Sequence, residues 1–162
     1  MKSRDIIIRE SAGKDLPSLA QLRWQLCTDD AAAVNQEQQS IFIEQFYAQM
    51  KTQQAAGNIH HYLAEIGGNI VGVITLILVA KVPSPDMINS SWGYLTNVYV
   101  KPEYRNKGIG TELLKYVEYI SRQNDIELLI VWPSDRSYPF YKRQGFRSER
   151  REQDPLVLVI QA

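Results

Sequence analysis

The chain has 162 residues, 44% of them hydrophobic and 22% charged, values ordinary for a globular domain that buries its core without staples. Eighteen basic side chains against eighteen acidic ones exclude a long-range field that would recruit nucleic acid or an anionic membrane, so any anion site must be local. The lone Cys27 excludes an internal disulfide, the opening MKSRDIIIRE lacks an apolar stretch of signal-peptide length, and the expected compartment is the cytoplasm.

DIIIRES is short and β-branched and reads as a first strand. It leads through Gly13 to DLPSLAQLRWQL, whose Leu16, Leu19, Leu22, Trp24 and Leu26 recur at helical spacing, with Asp15 as the expected cap and Pro17 in the first turn. Residues 29–40 are polar and alanine-rich and declare no state. IFIEQFYAQMKTQQAAG predicts a second helix, with Ile41, Phe42, Phe46 and Met50 on one side and Gly57 as its stop. HHYLAEIGGNIVGVITLILVA predicts a hairpin around GGN, and its apolar run at 70–80 is too short for the roughly 20 residues of a membrane helix. After the loop VPSPDMINSS come a strand, WGYLTNVYV, and a helix, TELLKYVEYISRQND, with Leu113, Val117 and Ile120 inward and a Glu118–Arg122 pair outward.

IELLIVW then predicts a strand, and SDRSYPFYKRQGF a short helix with Pro139 in its first turn and Gly145 as its stop. LVLVI near the end predicts a last strand, internal or exchanged between two copies in a homodimer. The order β, α, α, β, β, β, α, β, α, β specifies an α/β (α+β) fold, a central mixed sheet flanked by helices, in which the strands on either side of the helix at 111–124 are parallel neighbours. No shift in composition marks a linker, so residues 1–162 are expected to form a single domain.

The stretch VYVKPEYRNKGIGT, residues 98–111, leaves an alternating strand, turns at a proline and sets an arginine, a lysine and two glycines before a helix. A helix start offers unpaired amides and partial positive charge, and Gly108 and Gly110 let an anion come close. Arg105 and Lys107 add cations and Thr111 a hydroxyl, a set suited to a diphosphate. Alternatively the glycines only turn the chain and the basic residues are solvated. Two familiar phosphate loops fail: Lys107 precedes the glycines, unlike a P-loop, and Leu113 stands where a dinucleotide fingerprint needs its third glycine.

RNKGIG resembles the acyl-CoA-binding motif of the GNAT superfamily of N-acetyltransferases (arginine or glutamine, two residues, glycine, one residue, glycine or alanine) at Arg105, Gly108 and Gly110. The apolar strand, Val, Pro and short turn before it match as well, and so does the order of elements. The resemblance implies a GNAT-like fold with acetyl-CoA as cofactor, its diphosphate on Arg105, Asn106, Lys107, Gly108, Ile109, Gly110 and Thr111. It also implies a bulge that splays the preceding strand, freeing backbone groups of Val98, Tyr99 and Val100 to pair with the pantetheine arm as an added strand would. Val98 and Val100 can serve the core at the same time through their side chains.

Acetyl transfer to an amine requires a neutral amine, a stabilised oxyanion and a proton for the leaving thiolate. A lysine-like amine of pKa about 10.4 is almost wholly protonated at neutral pH, so its deprotonation needs help. YKRQGF resembles the family's tyrosine, three residues, glycine, phenylalanine ending, which makes Tyr141 the implied acid. The bland alternative is a tyrosine packed on the sheet, and Tyr138 is the rival. Ser134 replaces the family's frequent asparagine seven positions before the tyrosine, and Ser137 holds the place of its small residue against the cofactor. Thr96 and Asn97 occupy the place where many relatives carry a carboxylate base, so proton removal is expected through ordered water, to Glu65 or a backbone carbonyl. Glu103 is expected to be solvated, and His60 and His61 solvated or satisfied.

By the same resemblance, acceptor specificity lies with the first two helices and the strand ends: Trp24, Asp29, Asp30, Phe42, Phe46 and Tyr94. Carboxylates beside aromatics suit a cationic amine, although the reading preferred for Asp29 and Asp30 is an exposed helix end. No residue pattern separates a polyamine, an amino acid, an antibiotic or a protein terminus as the small-molecule or peptide acceptor. No metal site is expected. The implied activity is direct attack in a ternary complex; the missing base keeps open a second reading, a non-catalytic acyl-CoA sensor.

Overall fold

A computed structural model describes residues 6–29, 35–148 and 158–160. It divides into two compact units, Met1–Val131 and Trp132–Ala162.

The first unit holds one five-stranded sheet in the order β1-β2-β3-β4-β5, formed by Ile6–Glu10, Ile59–Ile66, Asn69–Ala80, Ser91–Val100 and Ile126–Val131. The first four strands are antiparallel neighbours, and β4 and β5 are parallel, as a helix between them requires. That helix is α3, Ile109–Gln123, which buries Ile109, Leu113, Leu114 and Val117 and pairs Glu118 with Arg122 at 2.6 Å on its outer side. The β2–β3 hairpin turns on Gly67 and Gly68, with φ of +55° and +80°. Two successive positive φ values are what a tight hairpin turn demands and what glycine supplies without strain.

Helices α1 (Leu16–Thr28) and α2 (Gln36–Ala55) cover one face of the sheet. Leu19 and Leu22 of α1 form a buried cluster with Leu63, Val73 and Tyr99, and Phe46 of α2 packs against it. Each such fully buried side chain contributes roughly 1.5–3 kcal/mol of transfer free energy. Alternation puts the neighbours of those strand residues on the other face, where Tyr62 meets Tyr116 of α3 with ring centroids 5.5 Å apart. Covered on both sides, β3 reads as a continuous apolar run, buried from Val71 to Leu76.

Two expectations on the helices need correction. Asp15 stands at the cap position of α1 but does not cap it. Its carboxylate accepts from Arg9 at 2.7 and 2.9 Å and from the Ala12 amide at 2.8 Å, because a nearby guanidinium is a stronger partner than a helix amide. Ile41 is exposed; α2 begins earlier than its apolar pattern, at the Asn35 cap, whose side chain accepts from the amides of Glu37 and Gln38.

In the second unit, α4 (Tyr138–Arg143) follows a serine-rich turn and stops at Gly145, φ +90°. Of the expected last strand, residues 156 and 157 lie outside the described residues, and Leu158–Ile160 are exposed and not part of a strand.

Candidate active site

The strand β4 changes character midway. Opposite β3, Thr75 pairs with Thr96 but Val73 pairs with Tyr99, so Asn97 and Val98 together face a single residue. This is a β-bulge, and Asn97 carries it with φ +50°. On the other edge, the register with β5 ends at Leu95 opposite Val131, so the edge from Thr96 to Val100 has no strand partner among the described residues. The bulge also reverses which residues face the helices. Tyr94 and Thr96 share the α1 face before it, and Tyr99 returns to that face after it.

Beyond Val100 the backbone is tied down by the Lys101 amide donating to Val71 O at 2.9 Å, then makes a short helical turn at Pro102–Tyr104. Positive φ at Asn106 (+60°) and Gly108 (+82°) bends the loop into α3, which starts two residues sooner than its apolar pattern suggests. The first ladder bond of α3 is the Glu112 amide to Gly108 O, 3.0 Å. The amides of residues 106–110 have no acceptor among the described residues. Space in front of Gly108 is open: a Cβ built there meets no atom within 4 Å. Unpaired amides at a helix start, next to a free strand edge, fit a ligand with a diphosphate and a peptide-like arm.

Both cations of the loop have partners within the protein. Arg105 turns back towards the strand, donating from Nε to Val100 O at 2.9 Å and from Nη2 to Asp29 Oδ2, with its guanidinium 5.3 Å from the Tyr99 ring centroid. Lys107 Nζ donates to Glu103 O at 2.7 Å and lies 5.3 Å from the Tyr104 ring centroid. A free ammonium or guanidinium beside an uncompensated carbonyl takes it as a partner.

The expected acceptor residues separate into two groups. Trp24, Phe42 and Phe46 form an aromatic row at 5.5 and 5.7 Å that joins α1 to α2, which commits their rings to packing. Asp29, at the end of α1, is drawn to Arg105 and lies 3.5 Å from Tyr99 Oη. Burial, with the Asp29 charge second, raises the Tyr99 hydroxyl pKa above its ordinary value. Asp30 lies outside the described residues.

Glu65, expected to end a water chain, accepts from Arg9 Nε at 3.0 Å and belongs to the pair that pins β1. His60 Nδ1 lies 2.7 Å from Glu10 Oε1. His61 is not solvated and is satisfied on one nitrogen only: it is 3% exposed, its Nδ1 is 2.8 Å from Thr75 Oγ1, and its Nε2 has no partner among the described residues. Asn97 Nδ2 donates to the same Thr75 hydroxyl at 3.3 Å. This buried polar group was not singled out from the sequence. The signal was an asparagine inside an alternating strand, where a side chain tolerant of positive φ marks a bulge.

In the second unit, Tyr141 is 5% exposed, edge-on to Phe140 at 5.0 Å and to Phe146 at 5.5 Å. The Phe146 amide donates to Tyr141 O at 3.1 Å, so the Gly145 stop folds the Phe of the motif back on its tyrosine. Tyr138, the rival, is 40% exposed with Lys142 over its ring. The Ser134 and Ser137 hydroxyls lie 3.0 Å apart, and Ser137 Oγ donates to Ser134 O.

A family model described as the acetyltransferase (GNAT) family matches residues 18–146. The chain belongs to the GNAT acetyltransferase family. A curated relative, the glucosamine 6-phosphate N-acetyltransferase of Trypanosoma brucei brucei, is 33% identical over 85 residues, covering 52% of this chain and 56% of its own length. The chain thus matches little more than half of that relative. Solved structures agree with the family's fold. A predicted acetyltransferase from Clostridium acetobutylicum, solved with acetyl-CoA, superposes with a TM-score of 0.72 at 21% identity over 94% of this chain and 96% of its own. An acetyltransferase from Trypanosoma brucei gives 0.67 at 26% identity over 95% and 100%. Among the described residues no helix of this family member is long and apolar enough to cross a membrane.

Proposed function

We propose that the chain transfers the acetyl group of acetyl-CoA to a primary amine by direct attack in a ternary complex. The observation that carries this is the run of unpaired amides at residues 106–110 adjoining the open edge of β4. Amides of Gly108, Ile109 and Gly110 would hold the diphosphate, with Asn106, Lys107 and Thr111 around it. Arg105 would fix the loop to Val100 and Asp29. Backbone groups of Val98, Tyr99 and Val100 would pair with the pantetheine amides. When bound, acetyl-CoA supplies an acetyl group activated as a thioester.

Tyr141 is the proposed proton donor to the departing sulfur, a role taken from its motif and favoured over Tyr138 by burial. Ser134 and Ser137, whose hydroxyls share one hydrogen-bonded turn, would border the cofactor arm. Trp24, Asp29, Phe46 and Tyr94 would bound the acceptor side through α1, α2 and β4. The family match crosses both units, which supports one catalytic domain. We place the protein in the cytoplasm, with no nucleic-acid partner, and leave a homodimer to be measured by sedimentation.

The test is thiol release from acetyl-CoA against a panel of amines headed by glucosamine 6-phosphate, the acceptor named for the curated relative, and including a polyamine, amino acids, an aminoglycoside and a peptide terminus. Amine-dependent release is the expected result. Thermal stabilisation by acetyl-CoA with no release for any amine would overturn catalysis and leave the sensor reading.

A further inference from the structure

Strand β1 stops short of the end of its partner. Its last bond to β2 is the Ser11 amide to His61 O, 2.8 Å, after which the chain turns away at Gly13 into α1, while β2 extends back to Ile59. Residues two apart on a strand turn their N–H and C=O to the same edge, so Ile59 faces the side that β1 has left, as His61 does. On the opposite side Asn58 O accepts from the Leu78 amide at 2.7 Å, in keeping with that alternation. The Ile59 N–H and C=O and the His61 N–H therefore stand without a partner among the described residues.

A cavity of about 240 Å³ opens on that side, walled by Glu10 and Ser11, by Gln54 and Gly57 at the end of α2, and by Ile59 and His60. It falls below the roughly 300 Å³ of a drug-sized pocket and so takes a fragment, not a whole cofactor. Among the described residues Glu10 is the only acid in its wall, and no lysine or arginine lines it. One Glu10 oxygen, Oε1, lies 2.7 Å from His60 Nδ1; Oε2 has no partner among the described residues. A carboxylate with an oxygen to spare attracts a cation and repels an anion. An unpaired backbone edge, in turn, suits a ligand that carries an amide of its own.

We infer that this cavity binds the N-terminal end of an extended peptide, with the ammonium on Glu10 and the following peptide group on the open edge of β2. A residue opposite Ile59 donates its N–H to Ile59 O and accepts from Ile59 N–H, as a longer β1 would have done. Running antiparallel to β2, as β1 does, the peptide has its first residue beside the end of β1, where Glu10 stands. An α-amino group of pKa about 7.7–8.0 is mostly protonated at neutral pH and supplies the charge. The chemistry recognised is thus an ammonium one residue from an amide: a polyamine has the first without the second, and a blocked peptide the second without the first. The inference stands whether or not the chain transfers acetyl groups.

The test is a titration of nitrogen-15-labelled protein at neutral pH with triglycine amide, N-acetyltriglycine amide and putrescine. Triglycine amide should shift the Ile59 and His61 amide signals saturably, with a dissociation constant of about 1 mM or tighter. The acetylated peptide and putrescine should each bind about tenfold more weakly, the loss of one set of contacts. Glu10→Gln, at a side chain 54% exposed, removes the charge with little change of shape. It should weaken triglycine amide about tenfold and leave the acetylated peptide as it was, whereas a disturbed edge would weaken both. No saturable shift at Ile59 and His61, putrescine bound as tightly as triglycine amide, or a Glu10→Gln variant that binds triglycine amide like the wild type or loses both peptides equally would each overturn the inference.

Discussion

Arg105 Nη2 donates to Asp29 Oδ2 at 2.5 Å, tying the loop before α3 to the end of α1. The side chains are 33% and 15% exposed, and the two charges cancel beside the site. In the proposed complex, attraction for the diphosphate would come mainly from the amides, with Arg105 as the strut that holds them.

Arg105→Ala loses the Val100 carbonyl bond as well as the ion pair, and should raise the acetyl-CoA dissociation constant about tenfold. Asp29→Ala removes the ion pair and the 3.5 Å contact with Tyr99 Oη but leaves the Arg105–Val100 bond, and should change it less than about fivefold. Calorimetric titration measures both, and equal effects would show that the pair itself carries the geometry.

Two glycines should respond in different ways. Gly108 has φ +82° and open space before it, so Gly108→Ala should cost about 1–2 kcal/mol of stability through backbone strain and also weaken acetyl-CoA binding by obstructing the amides. A Cβ at Gly93 would lie 2.6 Å from Leu76 Cδ1 and 2.7 Å from Leu129 Cδ2, beneath α3. Gly93→Ala should cost about 1–3 kcal/mol by overpacking and leave the affinity of the folded fraction unchanged. Urea titration and calorimetry distinguish the two.

Acid should destabilise the protein in two windows. His61 takes up a proton near 6.5 when unfolded and near 4 when folded, so stability is full above 6.5 and falls as pH drops towards 4, by about 3 kcal/mol once below it. Asp15 is held down to about 2 from its ordinary value of 3.8, chiefly by its hydrogen bonds with Arg9. Its contribution is present above 3.8 and is lost as pH falls through 2. Unfolding free energy measured from pH 7 to pH 4 in the wild type and in His61→Gln should show the slope in the first and a much flatter line in the second.

Tyr141→Phe keeps the contacts with Phe140 and Phe146 and removes only the hydroxyl. It should lower kcat by about a hundredfold or more with little change in acetyl-CoA affinity, as loss of a proton donor does. Tyr138→Phe, on an exposed ring, should be close to wild type; the reverse ranking would reassign the acid.

Most of the fold was legible because its signals are local. The glycine pair at 67–68, the run at 70–80 and the amphipathic period of α3 each specify their element without reference to the rest of the chain. The loop at 105–110 was legible for the same reason, since a motif is a run of neighbours. What escaped was pairing across distance. Nothing in the string RNKGIG tells that Arg105 turns back to Asp29, or that Asp15 prefers Arg9 to the helix it precedes. His61, Thr75 and Asn97 come from three strands, and only the register of those strands brings them together.

The bulge at Asn97 has one more effect. It puts Tyr94 and Thr96 at even positions and Tyr99 at an odd one on the same side, so β4 is a strand with two reading frames joined at one residue. Excising Asn97 would not shorten a rope but turn one half of it over: Tyr99 would swing from the α1 face to the α3 face, taking Val100 and the start of the loop with it. The half that lines the core and the half that leads to the loop can each vary in sequence, provided the joint between them keeps its count.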